Sequence, residues 1–187
     1  MMAQKSAEKW KMKKWLEVYS PKVFGETSIG EIPADEEEKA LGRIIEVNMS
    51  WLTHKPEHSF LSVGLRVTDA KNNAAHTELE FMEQMFSYTH SLVRRHSSVI
   101  YTMDKFADKE GKPVVVKLIA VSFSKLATPK KSQIRKKLQE YCKEYISGKN
   151  KDEIIKGVMD NSLQAGARDS VKNITRMAKL EVRKLEF

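Results

Sequence analysis

Residues 114–121 form the most apolar run of the chain and constrain its fold more than any other segment. Lys117 is the only charged residue in this run. A short apolar run that follows turn-forming residues, here 108–111, predicts a β-strand covered on both faces for most of its length. The chain is therefore expected to build a sheet in which this strand is central.

Alternation of apolar and polar residues predicts the other strands. The pattern covers residues 44–51, 61–68, 75–81, 99–103 and 178–183. Residues 69–73 have the composition of a turn, and short polar turns between successive strands favour antiparallel pairing.

Helical spacing predicts helices over residues 85–94, 129–147, 152–159 and 163–171. Thr128 and Pro129 mark the start of the second of these, as a capping hydroxyl followed by proline at the first helical position. The prediction is thus an α+β fold with a mainly antiparallel sheet packed with C-terminal helices. Whether the sheet closes as a barrel is left open.

Residues 1–40 are predicted to be an extended basic arm, followed by a globular α+β domain over residues 41–187. The arm combines cations that neutralise phosphates with indoles on which unpaired bases stack. The residues with this character are Lys9, Trp10, Lys11, Lys13, Lys14 and Trp15. We expect residues 1–16 to be disordered in the free protein and ordered on a partner. The acidic residues 35–38 are either the start of a short helix or a solvated loop.

The charge balance indicates a polyanionic partner. The chain carries 33 Lys and Arg against 25 Asp and Glu, for a net charge of +8. Such a domain usually faces nucleic acid or an acidic membrane surface, although a well-solvated surface is the simpler alternative. The single cysteine, Cys142, cannot form an internal disulfide, which fits a reducing cytosolic compartment. The sequence predicts neither a transmembrane helix nor a signal peptide.

Motifs typical of enzymes are absent from the sequence. The five histidines are scattered, and His54 and His58 share a loop without a further ligand nearby. Cys142 lies on the apolar flank of a predicted helix, so we expect a buried small hydrophobe rather than a nucleophile. We therefore predict no catalysis, no cofactor and no metal site.

Two more basic clusters are candidate contacts with phosphates. Arg94 and Arg95 are predicted to end a helix, and Ser97 and Ser98 add hydroxyl donors. Their alternative role is compensation of the helix dipole together with a surface ion pair. The other cluster, at the start of the helix after Thr128, comprises Lys130, Lys131, Arg135, Lys136 and Lys137. Cations there oppose the helix dipole, which suggests an external anion, while the alternative is a solvated face. Both clusters suit recognition of backbone and shape rather than of base sequence.

Several motifs in order resemble one known family. They comprise Lys13-Lys14-Trp15, Val18-Tyr19-Ser20-Pro21, Phe24, Ile29-Gly30-Glu31, Gly42-Arg43, Glu46, Ser91-Leu92-Val93-Arg94-Arg95, Ser97-Ser98, Lys109-Glu110-Gly111-Lys112-Pro113, Lys117-Leu118-Ile119-Ala120-Val121 and the closing Leu180-Glu181-Val182-Arg183-Lys184-Leu185-Glu186. The chain thereby resembles the archaeal and eukaryotic small-subunit ribosomal proteins called S-one-e or S-three-a-e, and its length is closer to the archaeal members. Lys22 and Arg43 lie within the matching region and join the candidate RNA contacts.

The resemblance implies a structural protein of the ribosome in the cytoplasm. Members of the family lie on the small-subunit platform near the messenger-RNA exit, where they contact ribosomal RNA and neighbouring proteins, and messenger RNA is a further candidate partner. The rival hypotheses are a free-standing RNA-binding or RNA-processing protein and a basic protein of a membrane surface. An enzyme would need clustered catalytic groups. A membrane-surface protein would need an amphipathic helix with a broad aromatic face, whereas the helix after Pro129 offers only Tyr141 and Tyr145.

Overall fold

The structure is a computed structural model and describes residues 13–187. The chain divides into two compact units, one that ends at Glu80 and one that spans Phe81–Phe187. The predicted division into an arm and a globular domain at residue 40 stays a prediction, because residues 1–12 lie outside the described part.

The first unit consists mainly of strands. Its described elements are β1 (Lys14–Tyr19), β2 (Ser28–Ala34), β3 (Ile44–Asn48), β4 (Leu61–Lys71), the first part of β5 (Ala74–Gln84), helix α1 (Met49–Thr53) and 3-10 helices at Lys22–Phe24, Glu37–Ala40 and Pro56–His58. Strand β1 pairs with β2 in antiparallel and with β5 in parallel orientation. Strand β4 pairs with β5 and, in antiparallel orientation, with β3.

A tight turn joins β4 to β5, narrower than the predicted turn over residues 69–73. Only Asn72 and Asn73 separate the two strands, and their φ angles are +53° and +62°. Positive φ at both central positions is the geometry of the type I′ turn, which matches the twist of a hairpin and which asparagine tolerates better than most residues.

Strands β1 and β2 are elements that the sequence analysis does not predict. Leu16 and Val18 of β1 are each only 1% exposed. Leu16 packs with Ala34 and Ala40, while Val18 packs with residues of β4 and β5. Residues from the described part of the predicted arm therefore supply part of the core of the first unit. The predicted disorder of residues 1–16 falls mainly outside the described residues, but its last residues lie in β1.

The strand predicted over residues 44–51 is too long. Strand β3 ends at Asn48, whose side-chain Oδ1 accepts hydrogen bonds from the backbone N of Ser50 at 2.9 Å and from its hydroxyl at 2.8 Å. Asparagine in this position caps a helix, and α1 follows directly. The apparent alternation at Met49 and Trp51 is thus overridden by a local cap.

The second unit combines a sheet with four helices among its described residues. Its elements are the end of β5, α2 (Phe86–Ser91), β6 (Val99–Ala107), β7 (Pro113–Ser122), α3 (Thr128–Ser147), α4 (Lys151–Met159), α5 (Ser162–Val171) and β8 (Met177–Glu186). Strand β7 pairs with β6 on one side and β8 on the other, both antiparallel, and β8 also pairs with the end of β5. The predicted central strand over residues 114–121 is therefore confirmed.

The sheet is mixed, mostly antiparallel and not closed as a barrel. Within residues 13–187, β6 pairs with β7 alone and remains an edge. The predicted α+β class with C-terminal helices is confirmed, and the question of closure is answered by this open edge.

Helices α3, α4 and α5 lie where the spacing predicts them. The N-cap of α3 is Ala127 rather than Thr128, which is itself helical, and no side chain caps the first turn. Cys142 is 2% exposed, as expected for a small hydrophobe, and burial raises the pKa of its thiol to about 12. Among the described residues, no helix has both the length and the apolar character needed to cross a membrane.

Candidate nucleic-acid interface

The described part of the Lys/Trp arm presents one indole to solvent. Lys9, Trp10 and Lys11 lie outside the described residues. Lys14 and Trp15 begin strand β1, and the Trp15 side chain is 55% exposed while its neighbour Leu16 points into the core. An indole held on a strand and open to water can stack on an unpaired base.

Acidic residues lie beside Lys14. A groove of about 390 Å³ is lined by Lys14 and by the acidic residues 35–38. Residues 37–40 form a 3-10 helix, so the acidic segment does begin a short helical turn. Its carboxylates reduce the local positive potential, which makes Lys14 a weaker candidate for phosphate binding than its sequence neighbours suggest.

Lys22 and Arg43 occupy separate places in the first unit. Lys22 is exposed in the first 3-10 helix. The Arg43 guanidinium donates a hydrogen bond through Nη1 to the backbone oxygen of Pro33 at 2.8 Å. This contact uses one donor of the guanidinium, and the exposed side chain keeps others.

Arg94 and Arg95 lie in a turn beyond the helix rather than at its end. Helix α2 finishes at Ser91, three residues earlier than predicted. The backbone N of Ser97 donates to the oxygen of Arg94 at 3.3 Å, and the Ser97 hydroxyl donates to the same oxygen at 2.6 Å. His96 adopts φ +64° within this turn. We call residues 94–97 the arginine turn; its serine is a structural donor as well as a candidate phosphate ligand.

The arginine turn borders a surface groove of about 380 Å³. The described residues that line it are Ser91, Leu92, Arg94, Arg95, Ser97, Val121, Ser122, Phe123, Ala178 and Lys179. Three of these are cations and none carries a carboxylate. The sequence analysis misses Phe123 and Lys179, which are far from the arginines in the chain. The one available signal was an aromatic residue directly after the most apolar strand.

The basic start of α3 lies next to the arginine turn. The backbone N of Leu126, just before the helix, donates to the Ser98 hydroxyl at 3.0 Å. Lys130 is exposed and Lys131 half-buried in the first turns of the helix. The Arg135 guanidinium donates through Nε to the backbone oxygen of Tyr101 on β6 at 3.3 Å. Two of the three predicted basic clusters are thus brought to one end of the second unit.

This end of the second unit is chemically suited to bind phosphates. Neither guanidinium of the arginine turn has an ion-pair partner within residues 13–187, so both can make charge-assisted hydrogen bonds to phosphate oxygens. The described residues contain no grouping of three or more His, Cys, Asp or Glu side chains that could hold a metal ion.

Comparison with known proteins identifies the family. A family model described as the Ribosomal S3Ae family matches residues 2–187. The small ribosomal subunit protein eS1 of Staphylothermus marinus is 33% identical over 177 residues, which cover 95% of this chain and 84% of that protein. The eS1 protein of Desulfurococcus amylolyticus is 30% identical over 180 residues, covering 96% and 84%. That of Pyrobaculum neutrophilum is 29% identical over 177 residues, covering 95% and 80%.

These relatives are archaeal, and the matches extend over nearly the whole chain. They agree with the motifs that the sequence shares with this group. The basic open-sheet protein described above therefore belongs to the Ribosomal S3Ae family.

Proposed function

We propose that this chain is a structural constituent of the small ribosomal subunit and binds ribosomal RNA without catalysing a reaction. The observation that carries the proposal is the pair of exposed arginines on the arginine turn, beside the basic start of α3. Its relatives, which are named small ribosomal subunit protein eS1, support the choice of the ribosome as the place where this surface acts.

The phosphate contacts assigned to this surface are ionic. Arg94 and Arg95 can each hold a phosphate with two parallel hydrogen bonds. Lys130 and Lys131 act as point charges on a neighbouring part of the RNA backbone, with Arg135 one turn further along the helix. Such contacts fix the register of a protein on RNA but carry no base sequence directly.

The N-terminal region supplies a separate set of candidate RNA contacts in the first unit. Its candidate residues are Lys9, Trp10, Lys11, Lys13, Lys14, Trp15, Lys22 and Arg43. Exposure of the Trp15 ring supports stacking there. We further assign the protein to the platform near the messenger-RNA exit of the cytoplasmic ribosome, among neighbouring small-subunit proteins and within reach of messenger RNA.

The test of the phosphate contacts is the dependence of RNA affinity on salt. Replacing Arg94 and Arg95 with alanine removes two phosphate contacts, so the magnitude of the slope of log affinity against log salt is expected to fall by about 2 on a duplex-like target. Lys109→Ala with Lys156→Ala makes the same charge change at exposed positions of the same unit and serves as the control. An unchanged slope in the arginine variant, or a large fall in its melting temperature, contradicts the assignment.

Sedimentation of a cell lysate tests the ribosomal role itself. The native protein is expected to migrate with small subunits at moderate salt. A free-standing RNA-binding or RNA-processing protein would instead remain near the top of the gradient.

A further inference from the structure

One aromatic ring, that of Phe123, lines the groove beside the arginine turn. Phe123 follows the end of β7, and its side chain is 69% exposed. Most of the ring is therefore open to a ligand rather than packed in the fold. The ring lines the same groove as three cations.

The backbone that carries this ring is held on both sides. The Ser122 hydroxyl donates to the backbone oxygen of Ser124 at 2.6 Å and also accepts from the backbone N of Ser98 at 3.0 Å. Ser122 itself is 1% exposed. The backbone at Phe123 is therefore fixed at the end of the strand, while its ring is not packed into the core.

Three cationic side chains, those of Arg94, Arg95 and Lys179, also line the groove. Arg94 and Arg95 lie on the arginine turn, which is fixed by the Ser97 hydroxyl. Lys179 lies on β8 opposite Val121 of β7, which places it beside the strand end that carries Phe123. Glu181, two residues along β8, is within electrostatic reach of Lys179, but it accepts a hydrogen bond from the Gln84 amide at 3.3 Å and does not line the groove.

We propose that this groove binds a single unpaired nucleotide of RNA, with its base stacked on Phe123 and its flanking phosphates held by the arginine turn and Lys179. The inference rests on the proposed RNA binding and specifies its form at this site. A volume of about 380 Å³ lies at the lower end of the range for small-ligand sites, which suits one nucleotide rather than a helix.

An unpaired nucleotide fits better than a base-paired one. Bases inside a helix are covered on both faces by their neighbours and cannot offer a face to the ring. Bases in loops, bulges and ends are available for stacking on aromatic side chains. An apolar side chain of a partner protein would gain nothing from the three cations, whereas a nucleotide uses both the ring and the charges.

The experiment compares two RNA hairpins that differ by one bulged nucleotide, using the full chain. The wild-type protein is expected to bind the bulged hairpin more tightly than the fully paired one. Phe123→Ala is expected to weaken binding of the bulged hairpin about 5- to 150-fold, the usual effect of losing one stacked base, and to leave the salt slope unchanged. Phe123→Tyr retains a stacking ring and is expected to restore the preference.

Phe86→Ala is the matched control, because Phe86 is 68% exposed in the same unit and does not line the groove. Equal affinities of the Phe123→Ala and Phe86→Ala variants for the bulged hairpin overturn the nucleotide site. If the Arg94→Ala, Arg95→Ala variant still lowers the salt slope in that case, phosphate binding stands and only this inference fails. If no variant alters binding and the protein does not sediment with small subunits, the proposed function fails as well.

Discussion

Replacing Lys130 and Lys131 with glutamate is expected to stabilise the free protein while impairing its assembly. Helix α3 starts after Ala127, which provides no side-chain cap, and its first turn contains no acidic residue. The unsatisfied N–H groups of that turn and the two ammonium groups therefore place positive charge at the same end of the helix.

The size of the effect follows from the helix dipole. A carboxylate in the first turn contributes about 0.3–1 kcal/mol at low salt, so two replacements should raise the free energy of unfolding by about 0.6–2 kcal/mol. For a chain of this length the melting temperature should rise by about 1–8 °C. The gain should shrink in high salt, because screening weakens interactions between exposed charges.

Urea unfolding and thermal melts at low and high salt measure this change. Lys143→Glu makes the same kind of charge change at an exposed position in the C-terminal half of the same helix, where no gain is expected. A melting temperature that is unchanged or lower at low salt in the double variant would refute the dipole argument.

Occupancy in purified small subunits is the second measurement on the same variant. If an RNA phosphate normally relieves the repulsion at this helix end, two glutamates there should lower occupancy despite the gain in stability. Normal occupancy would identify the cluster as a solvated face.

The remaining predictions concern packing, a buried thiol and a turn. Gly157→Ala should destabilise the protein by up to about 2 kcal/mol, because a Cβ at residue 157 would overlap the Tyr145 hydroxyl. In a Tyr145→Phe background the ring carbon Cζ would be 3.1 Å from that Cβ, so urea unfolding should show a smaller loss of stability. Cys142 should resist alkylation in the folded protein at pH 9–11, because burial raises its thiol pKa to about 12. The same shift should make the free energy of unfolding fall as pH rises from about 9 to about 12, since only the unfolded thiol ionises in that window. Asn73→Gly should raise the free energy of unfolding by up to about 1 kcal/mol and Asn73→Ala should lower it, since φ there is +62°.

Short sequence patterns predict the strands and helices that neighbouring residues determine. The run 114–121 is apolar on both faces and becomes the central strand β7, and the spacing of Ile134 and Leu138 correctly predicts a buried helix face. Strand β1 has only Leu16 and Val18 as buried positions, and one of its partners, β5, lies more than fifty residues away. Its pairing with β5 joins residues far apart in the chain, so no short stretch of sequence contains it.

The residues of the candidate site differ in the same way in how well the sequence predicts them. Arg94 and Arg95 are adjacent in sequence, so their charge is visible without a structure. Phe123 joins them because Ser122 is hydrogen-bonded to Ser98, and Lys179 joins them because β7 and β8 pair with Val121 opposite Lys179. A groove that depends on strand register cannot be predicted from residues that are neighbours in the sequence.

The hydrogen bond from Arg135 to the Tyr101 carbonyl affects how open the edge of the sheet is in the free chain. Among residues 13–187, strand β6 pairs on one side only, and its open side carries exposed Tyr101 and Met103, onto which a strand of another copy could add. The guanidinium occupies one of the backbone acceptors that such an addition would use, and the Gln139 amide donates to Asp104 further along the same edge, at 2.6 Å. Helix α3 thus covers part of the edge at which a free chain would otherwise be open to strand addition by another copy.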